Sequence, residues 1–260
     1  MRSGYTLVEL AIVLVILGLL VGGVLVGQSL IRGGELQAVT TEHQRYITAI
    51  QNFRAKYTAL PGDMKNATTV WGDDDTNCAD AGITNGNPGT CNGNGDARMT
   101  IGAATATSEL YQFWKQLGLA ELISGYFTGL AGADDGEDSV IGTNVPESKL
   151  TGAGWSVSYK APDFAGDASA YEMDYGNYLV IGKKTAGGLT DSAAMSPADA
   201  FDIDTKVDDG KPGSGSVIAR FWDDACAAAD DAGSADDDLA AHYRVTDETI
   251  QCALYFTKAF

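Results

Sequence analysis

Residues 4–31 read GYTLVELAIVLVILGLLVGGVLVGQSLI, and this stretch sets the architecture of the whole chain. From Leu10 to Ile31 it contains 22 residues without a charge, and about 20 apolar residues are enough for a helix to cross a bilayer. The run exceeds the ~7–15 apolar residues of a secretory signal, and no Ala-x-Ala cleavage site follows it. The sequence therefore predicts a membrane-spanning helix with one acidic residue, Glu9, at its start.

The helical pattern continues beyond the apolar stretch. Apolar residues recur with a period close to 3.6 until Pro61 and Gly62 force a turn. We therefore expect one helix of 53 residues from Tyr5 to Tyr57, roughly 80 Å long at ~1.5 Å per residue. A bilayer core takes about 30 Å of that length, so residues 32–60 form an amphipathic half whose apolar stripe needs a partner. The stripe consists of Leu36, Val39, Tyr46, Ile47, Ile50, Phe53 and Tyr57.

Small residues recur along the membrane half of this helix, residues 5–31. Gly18, Gly22, Gly23 and Gly27 form two small-xxx-small pairs, which allow helices to approach closely. Glycine is also a poor helix former, so a locally weakened helix is the alternative interpretation. We take Gly18 and Gly22 as candidate assembly residues.

The segment GYTLVELAIVLVILGLL resembles the N-terminus of type IV prepilins and of the pseudopilins of type II secretion. The resemblance implies that residues 1–4 are a leader peptide cut after Gly4 by a prepilin peptidase. It further implies that Tyr5 becomes the methylated N-terminus, and that Glu9 is the family glutamate at the fifth mature position.

The resemblance also implies a role for Glu9. A carboxylate in a low-dielectric helical bundle is costly unless a specific group receives it. In filaments of this family the glutamate points toward the N-terminal amine of a neighbouring subunit, and such a pair fixes the register of packing. The alternative is a glutamate that snorkels to the membrane interface.

Charge is distributed unevenly along the chain. Residues 1–65 carry six lysines and arginines against four acids, whereas residues 66–260 carry 11 against 31, a net charge of −20. Such a surface repels phosphate backbones, so we expect no direct binding of nucleic acid. Most of the acids are aspartates in glycine- and alanine-rich loops, and a solvated face is their simplest interpretation.

The four cysteines lie at Cys78, Cys91, Cys226 and Cys252, without zinc-site spacing. An even count in a chain with an N-terminal export segment favours two disulfides formed in an oxidising compartment. Three pairings exist, and sequence order favours Cys78–Cys91 and Cys226–Cys252. Free buried cysteines are the alternative.

Two acidic clusters are candidate calcium sites. The first, at Asp73, Asp75, Asn92, Asn94 and Asp96, partly matches an EF-hand loop. It departs from that pattern because Ala97 replaces the required glycine and Ala103 replaces the bidentate glutamate. A polar turn is the alternative.

The second cluster comprises Asp202, Asp204, Asp208 and Asp209. Lys206 stands where a further ligand would be expected, so a charged helix end is the alternative. The surrounding segment DIDTKVDDGKPGSG also resembles a recurring segment of larger prepilin-like proteins. Calcium is therefore the one cofactor that the sequence suggests.

The remaining pattern predicts an α+β head over residues 61–260. A helix is expected at 108–123, where Ser108 can cap it, and another should begin at Ser196 and Pro197. Runs rich in β-branched and aromatic residues predict strands at 155–160, 175–184 and 249–258. We expect an antiparallel sheet packed against the second half of the long helix, as in the pilin fold.

Catalytic motifs are missing from the sequence. It contains no GxSxG, HExxH or Walker loop, and no GxGxxG after a strand. The two histidines, His43 and His242, are interpreted as packing or solvent-facing residues. We therefore expect no enzymatic activity.

These features predict a structural subunit of a type IV pilus. The resemblance implies that copies of the chain polymerise with the help of an assembly platform, an ATPase and a secretin. It places the precursor in the inner membrane of a Gram-negative-type bacterium and the product in an extracellular filament. A pseudopilin of type II secretion and a membrane-tethered binding or hydrolytic domain remain alternatives, although so long a head favours the pilin.

Overall fold

The computed structural model describes residues 6–72, 78, 89–101, 108–160, 171, 173–220, 225–228 and 241–260. Its dominant element is helix α1, Leu7–Tyr57, which runs unbroken for 51 residues. Thr6 caps its start, and Thr58 ends it in the left-handed conformation with φ 56°. The predicted single helix is thus confirmed over this range, while Tyr5 lies outside the described residues.

The two halves of α1 have different environments. The apolar side chains described between Leu7 and Ile31 are exposed, whereas the second half is built into the head. The predicted stripe is confirmed, because five of its members are buried and Ile47 and Tyr57 are partly buried. The five buried members are Leu36, Val39, Tyr46, Ile50 and Phe53.

The head combines short helices with an antiparallel sheet, which confirms the α+β class. Its main sheet has four strands in the order β1-β2-β6-β3, and every neighbouring pair is antiparallel. Two further strands, β4 and β5, form a small second sheet. The strands are β1 Gly154–Lys160, β2 Gly176–Gly182, β3 Val217–Ala219, β4 Ala227–Ala228, β5 His242–Tyr243 and β6 Leu254–Phe256. The helices of the head are α2 Ala67–Trp71, α3 Glu109–Leu119 and α4 Pro197–Val207.

Aromatic side chains join α1 to one face of the main sheet. His43 stacks on Phe256 of β6 with ring centres 4.2 Å apart. Tyr46 packs edge-on against Trp155 of β1 at 5.6 Å and against Trp114 of α3 at 5.1 Å. Edge-to-face pairs add stability beyond the buried area, so this cluster fixes how the long helix lies on the sheet.

Three predicted elements differ in extent from the structure. The helix expected at 108–123 ends at Leu119, because Glu121 turns left-handed with φ 59°. The strand expected at 249–258 is shortened to β6, since Thr249 folds back on Asp247. The strand expected at 175–184 stops at Gly182. The short strands β3, β4 and β5 were not predicted.

Both predicted disulfides are present. Cys78 is bonded to Cys91 with Cα atoms 5.4 Å apart, and Cys226 to Cys252 with Cα atoms 5.0 Å apart. The second bond joins the residue before β4 to a residue two positions before β6. It therefore links the small sheet to the main sheet.

Charged side chains of α1 also attach the helix to the head. The Arg32 guanidinium donates to the Asp199 carboxylate at 2.6 Å, and Glu35 accepts a hydrogen bond from the Thr151 hydroxyl at 2.5 Å. Glu42 accepts three hydrogen bonds, from the Ser148 hydroxyl, the Lys149 amide and the Trp155 indole, at 2.6, 2.9 and 2.8 Å. Glu42 is therefore the most heavily bonded attachment point between α1 and the head.

We predict that Glu42→Ala loosens the junction between α1 and the head. The change leaves the buried Trp155 indole N–H without its acceptor, which typically costs about 1–3 kcal/mol. Chemical denaturation followed by tryptophan fluorescence should show earlier unfolding and an altered native emission. Glu42→Gln, which keeps an acceptor, should lie between, and removing the exposed Glu147 should change nothing. An unfolding curve for Glu42→Ala equal to that of the wild type would refute this role.

Candidate functional site

Glu9 closes the N-terminus of α1 through a capping box with Thr6. The Glu9 carboxylate accepts hydrogen bonds from the Thr6 amide and the Thr6 hydroxyl, both at 2.8 Å. The Thr6 hydroxyl in turn accepts from the Glu9 amide at 3.3 Å. Such a box satisfies backbone donors that no helical carbonyl can reach. Thr6 was missed in the sequence interpretation, although the T-x-x-E spacing signals it.

The rest of the membrane half of α1 presents an exposed surface. At Gly18 and Gly22 no described atom lies within 4 Å of the place where a Cβ would stand, so another helix can approach there closely. In the described part of the chain, one helix is long and apolar enough to cross a membrane, with mean hydropathy 2.9 in its most apolar window. Gly4 and Tyr5, the predicted processing residues, lie outside the described residues.

Residues 1–25 match the family model described as the prokaryotic N-terminal methylation motif. The chain begins with a type IV prepilin-like signal. No curated protein and no solved structure matches the chain.

The prepilin-like motif has direct consequences. It supports a type IV pilin-like or pseudopilin-like protein with a membrane-anchored precursor. It implies processing by a prepilin peptidase and assembly into pilus-like polymers. Because the match ends at residue 25, it says nothing about the head.

Three members of the first predicted calcium cluster, Asn92, Asn94 and Asp96, are described, and their side-chain oxygens accept hydrogen bonds from backbone amides. The Asn92 amide oxygen accepts from the Thr68 amide at 3.0 Å, and the Asn94 amide oxygen accepts from the Asp96 amide at 2.8 Å. Asp96 itself accepts from the Arg98 amide at 2.9 Å. The Asn94 and Asp96 oxygens stabilise local turns, whereas the Asn92 oxygen joins its loop to α2. Asp73 and Asp75 lie outside the described residues.

Asp96 instead meets two acids that the sequence did not reveal. One ligand atom each of Asp63, Asp96 and Glu109 lies within 4.8 Å of the others. The Asp63 carboxylate accepts the amides of Gly95, Asp96 and Ala97 at 2.5, 3.1 and 2.9 Å. Its main visible role is therefore to hold a loop.

Glu109 holds the same loop from the other side. Its carboxylate accepts from the Asn94 amide at 2.9 Å and from the Thr100 amide at 3.2 Å. Burial raises the pKa of both Asp63 and Glu109, against the effect of these hydrogen bonds. Ala97 adopts φ 63°, the conformation usually left to glycine.

The second cluster comes together in part. One ligand atom each of Asp204, Asp208 and Asp209 lies within 4.8 Å of the others, whereas Asp202 is exposed on α4. Asp204 is fully buried and accepts from the Tyr243 hydroxyl at 2.8 Å and from the Gly210 amide at 3.2 Å. Burial raises the pKa of Asp204 to about 7, with a further contribution from Asp209 and Asp208.

The two outer acids of this cluster also close local turns. Asp208 accepts from the Val217 amide at 3.2 Å and from the Ser216 amide. Asp209 accepts from the Lys211 amide at 2.9 Å. Carboxylate oxygens at this spacing are the ligands that calcium prefers, so this cluster and the one around Asp63 are the two sets of described residues that can hold a cation.

We predict that calcium stabilises the protein through the Asp204 cluster, and more at about pH 8 than at about pH 6. The pKa of Asp204 in the folded state, about 7, exceeds its ordinary value of 3.8, so its protonated form stabilises the fold at low pH. That contribution is lost as the pH rises through 7. A bound cation replaces it where the carboxylate is charged.

Melting curves with calcium, with chelator and with sodium chloride of equal ionic strength test this prediction. Asp204→Asn should abolish the calcium-specific gain, whereas Asp202→Asn, at an exposed position on the same helix, should retain it. Superimposable melting curves with calcium and with chelator would leave the cluster as a charged helix end without a bound cation.

Proposed function

We propose that this protein is a structural subunit of a type IV pilus filament without enzymatic activity. The observation that carries the proposal is the contrast between the two halves of α1. The second half belongs to the core of the head, but the described apolar side chains from Leu7 to Ile31 lie on every side of the helix and are exposed. An isolated helix of this kind requires either lipid or neighbouring helices.

In the proposed mechanism the same apolar surface serves two states. The precursor waits in the inner membrane with this half of α1 in the bilayer. An assembly platform with its ATPase then extracts the subunit, and helix packing against neighbouring copies replaces contact with lipid. Glu9 receives the Tyr5 amine of a neighbour and sets the register, and the growing filament leaves through a secretin.

A pseudopilin of type II secretion shares the prepilin-like motif and the bare helix. A pseudopilin would be required for export of secreted enzymes, whereas a pilin would be required for filaments visible on the cell surface. Negative-stain imaging and a secretion assay on the same deletion strain distinguish the two. Lost filaments with normal secretion support the pilin, and lost secretion with normal filaments supports the pseudopilin.

A membrane-tethered binding or hydrolytic domain is the alternative from another class. In that case the signal would serve export alone, and the helix would not need to polymerise. Deletion would then leave both filaments and secretion unchanged.

Processing supplies the first prediction of the proposal. We expect mass spectrometry of the mature protein to show cleavage after Gly4 and a methyl group on the Tyr5 amine. Replacing Gly4 should block cleavage, because the signal requires a small residue there. A mature chain that keeps Met1, or that starts well beyond the apolar run, contradicts the proposal.

A further inference from the structure

A pocket of about 550 Å³ opens on the face of the main sheet that points away from α1. Side chains alternate between the faces of a strand, and Trp155 and Phe256 contact α1. Ser158, Tyr178 and Tyr255 occupy alternate positions and line the pocket on the opposite face. The volume falls within the ~300–1,000 Å³ typical of small-molecule sites.

Among the described residues that line the pocket, the charged groups are balanced. Arg220 is paired with Asp191 and donates to the Tyr255 hydroxyl at 3.1 Å. Lys160 lies over the Tyr255 ring, 6.0 Å from its centre, and its charge acts on Glu137, whose pKa burial raises. Two bases and two acids therefore meet in one concavity, although residues 66–260 carry a net charge of −20.

We propose that this pocket binds a neutral, hydroxyl-rich ligand the size of one or two sugar rings. Hydroxyl groups both donate and accept hydrogen bonds, so they match Lys160 and Arg220 as well as Glu137 and Asp191. An apolar ligand would remove water from these groups without replacing its hydrogen bonds. An anion would be repelled by the acidic head before reaching a pocket whose described bases and acids balance.

The tyrosines shape the floor of the pocket. Tyr178 and Tyr255 are only 5% and 2% exposed, so a ligand meets their edges and hydroxyl groups and does not stack on their faces. Tyrosine is suited to this position because its ring is apolar and its tip is polar. The floor therefore favours a ligand with C–H surface between its hydroxyl groups.

The pocket lies away from the surface that the proposed filament assembly uses. Assembly in the proposed function proceeds through α1, and the pocket lies across the sheet from that helix. A subunit can thus bind this ligand alone or within a polymer, and failure of one proposal leaves the other standing.

Isothermal titration calorimetry on the full-length protein tests the inference, in a zwitterionic detergent without a sugar headgroup. The probes are lactose, maltose and N-acetylglucosamine, with glucuronate as the charged comparison, each up to about 10 mM so that millimolar affinities register. We expect at least one neutral sugar to bind and glucuronate to bind more weakly. Glu137→Ala and Lys160→Ala should each weaken binding about tenfold, a change of ~1.4 kcal/mol.

Two control variants remove the same charges elsewhere. Glu147→Ala and Lys149→Ala alter exposed residues beside Ser148, on the α1 side of the head, and should bind as the wild type does. Melting curves show that every variant is folded. Absence of binding by all three neutral sugars, equal or tighter binding of glucuronate, or affinity unchanged in both pocket variants would each overturn the inference.

Discussion

Cells that express Glu9→Ala in place of the wild type are expected to produce few or short filaments while making normal amounts of folded protein. The substitution removes a carboxylate and leaves the amine of a neighbouring subunit unpaired in an apolar bundle. The defect arises only when subunits meet. Membrane insertion, the two disulfides and the melting temperature of the head should therefore be unchanged.

The capping box requires a control for this prediction, because Glu9 also satisfies the Thr6 amide and hydroxyl. Thr6→Val removes the cap hydroxyl but keeps the carboxylate, so filaments should persist. Glu9→Asp should be intermediate, since its shorter side chain reaches a neighbouring amine poorly. Counting filaments by electron microscopy gives the answer. Normal numbers for Glu9→Ala refute the register role, and an equal loss for Thr6→Val assigns the defect to the cap.

Replacement of both Cys226 and Cys252 by alanine is expected to destabilise the head strongly. The bond closes a loop with a sequence separation of 26 residues, for which chain entropy predicts about 3–4 kcal/mol. Both cysteines are fully buried, so the shortened side chains also leave a void. For a head of this size the loss corresponds to a fall in melting temperature of roughly 10 °C.

The Cys78–Cys91 pair provides the matched comparison. Its shorter loop, with a separation of 13 residues, predicts a smaller loss, and Cys78 is only partly buried. Double replacement avoids stray thiols in both cases. If both double variants melt like the wild type, neither bond limits stability. If removal of the Cys78–Cys91 bond lowers the melting temperature more than removal of the Cys226–Cys252 bond, the predicted order of the two losses is wrong.

The sequence predicted those parts of the fold whose signals are local. The stripe from Leu36 to Phe53 repeats over several helical turns, and Ser196 with Pro197 marks the start of α4. Strand β3 was missed because its three residues, Val217–Ala219, are too few for any periodicity to appear. Helix α3 was drawn too long because Ile123 is buried and apolar, although Glu121 has already ended the helix.

The sequence could not reveal contacts between single acids and partners that are distant along the chain. The carboxylate of Asp63 accepts amides more than 30 residues away, and Glu42 contacts groups more than 100 residues away. The sequence does not distinguish Asp63 or Glu42 from other acids, since each stands alone, outside any acidic cluster or motif. Asp204, Asp208 and Asp209 lie within six residues, so local chain geometry alone brings these acids together, while cation binding there stays a prediction.

The stacking of His43 on Phe256 has a consequence for the order of synthesis. Translation produces α1 first, yet the last strand that packs against it emerges more than 200 residues later. Its partners appear in stages, from Trp114 of α3 and Trp155 of β1 to Phe256, so part of this apolar face stays uncovered until β6 is made. In the proposed function a nascent subunit therefore enters the membrane before its head can fold, and Cys252, two positions before that last strand, can pair with Cys226 only when nearly the whole chain has been made.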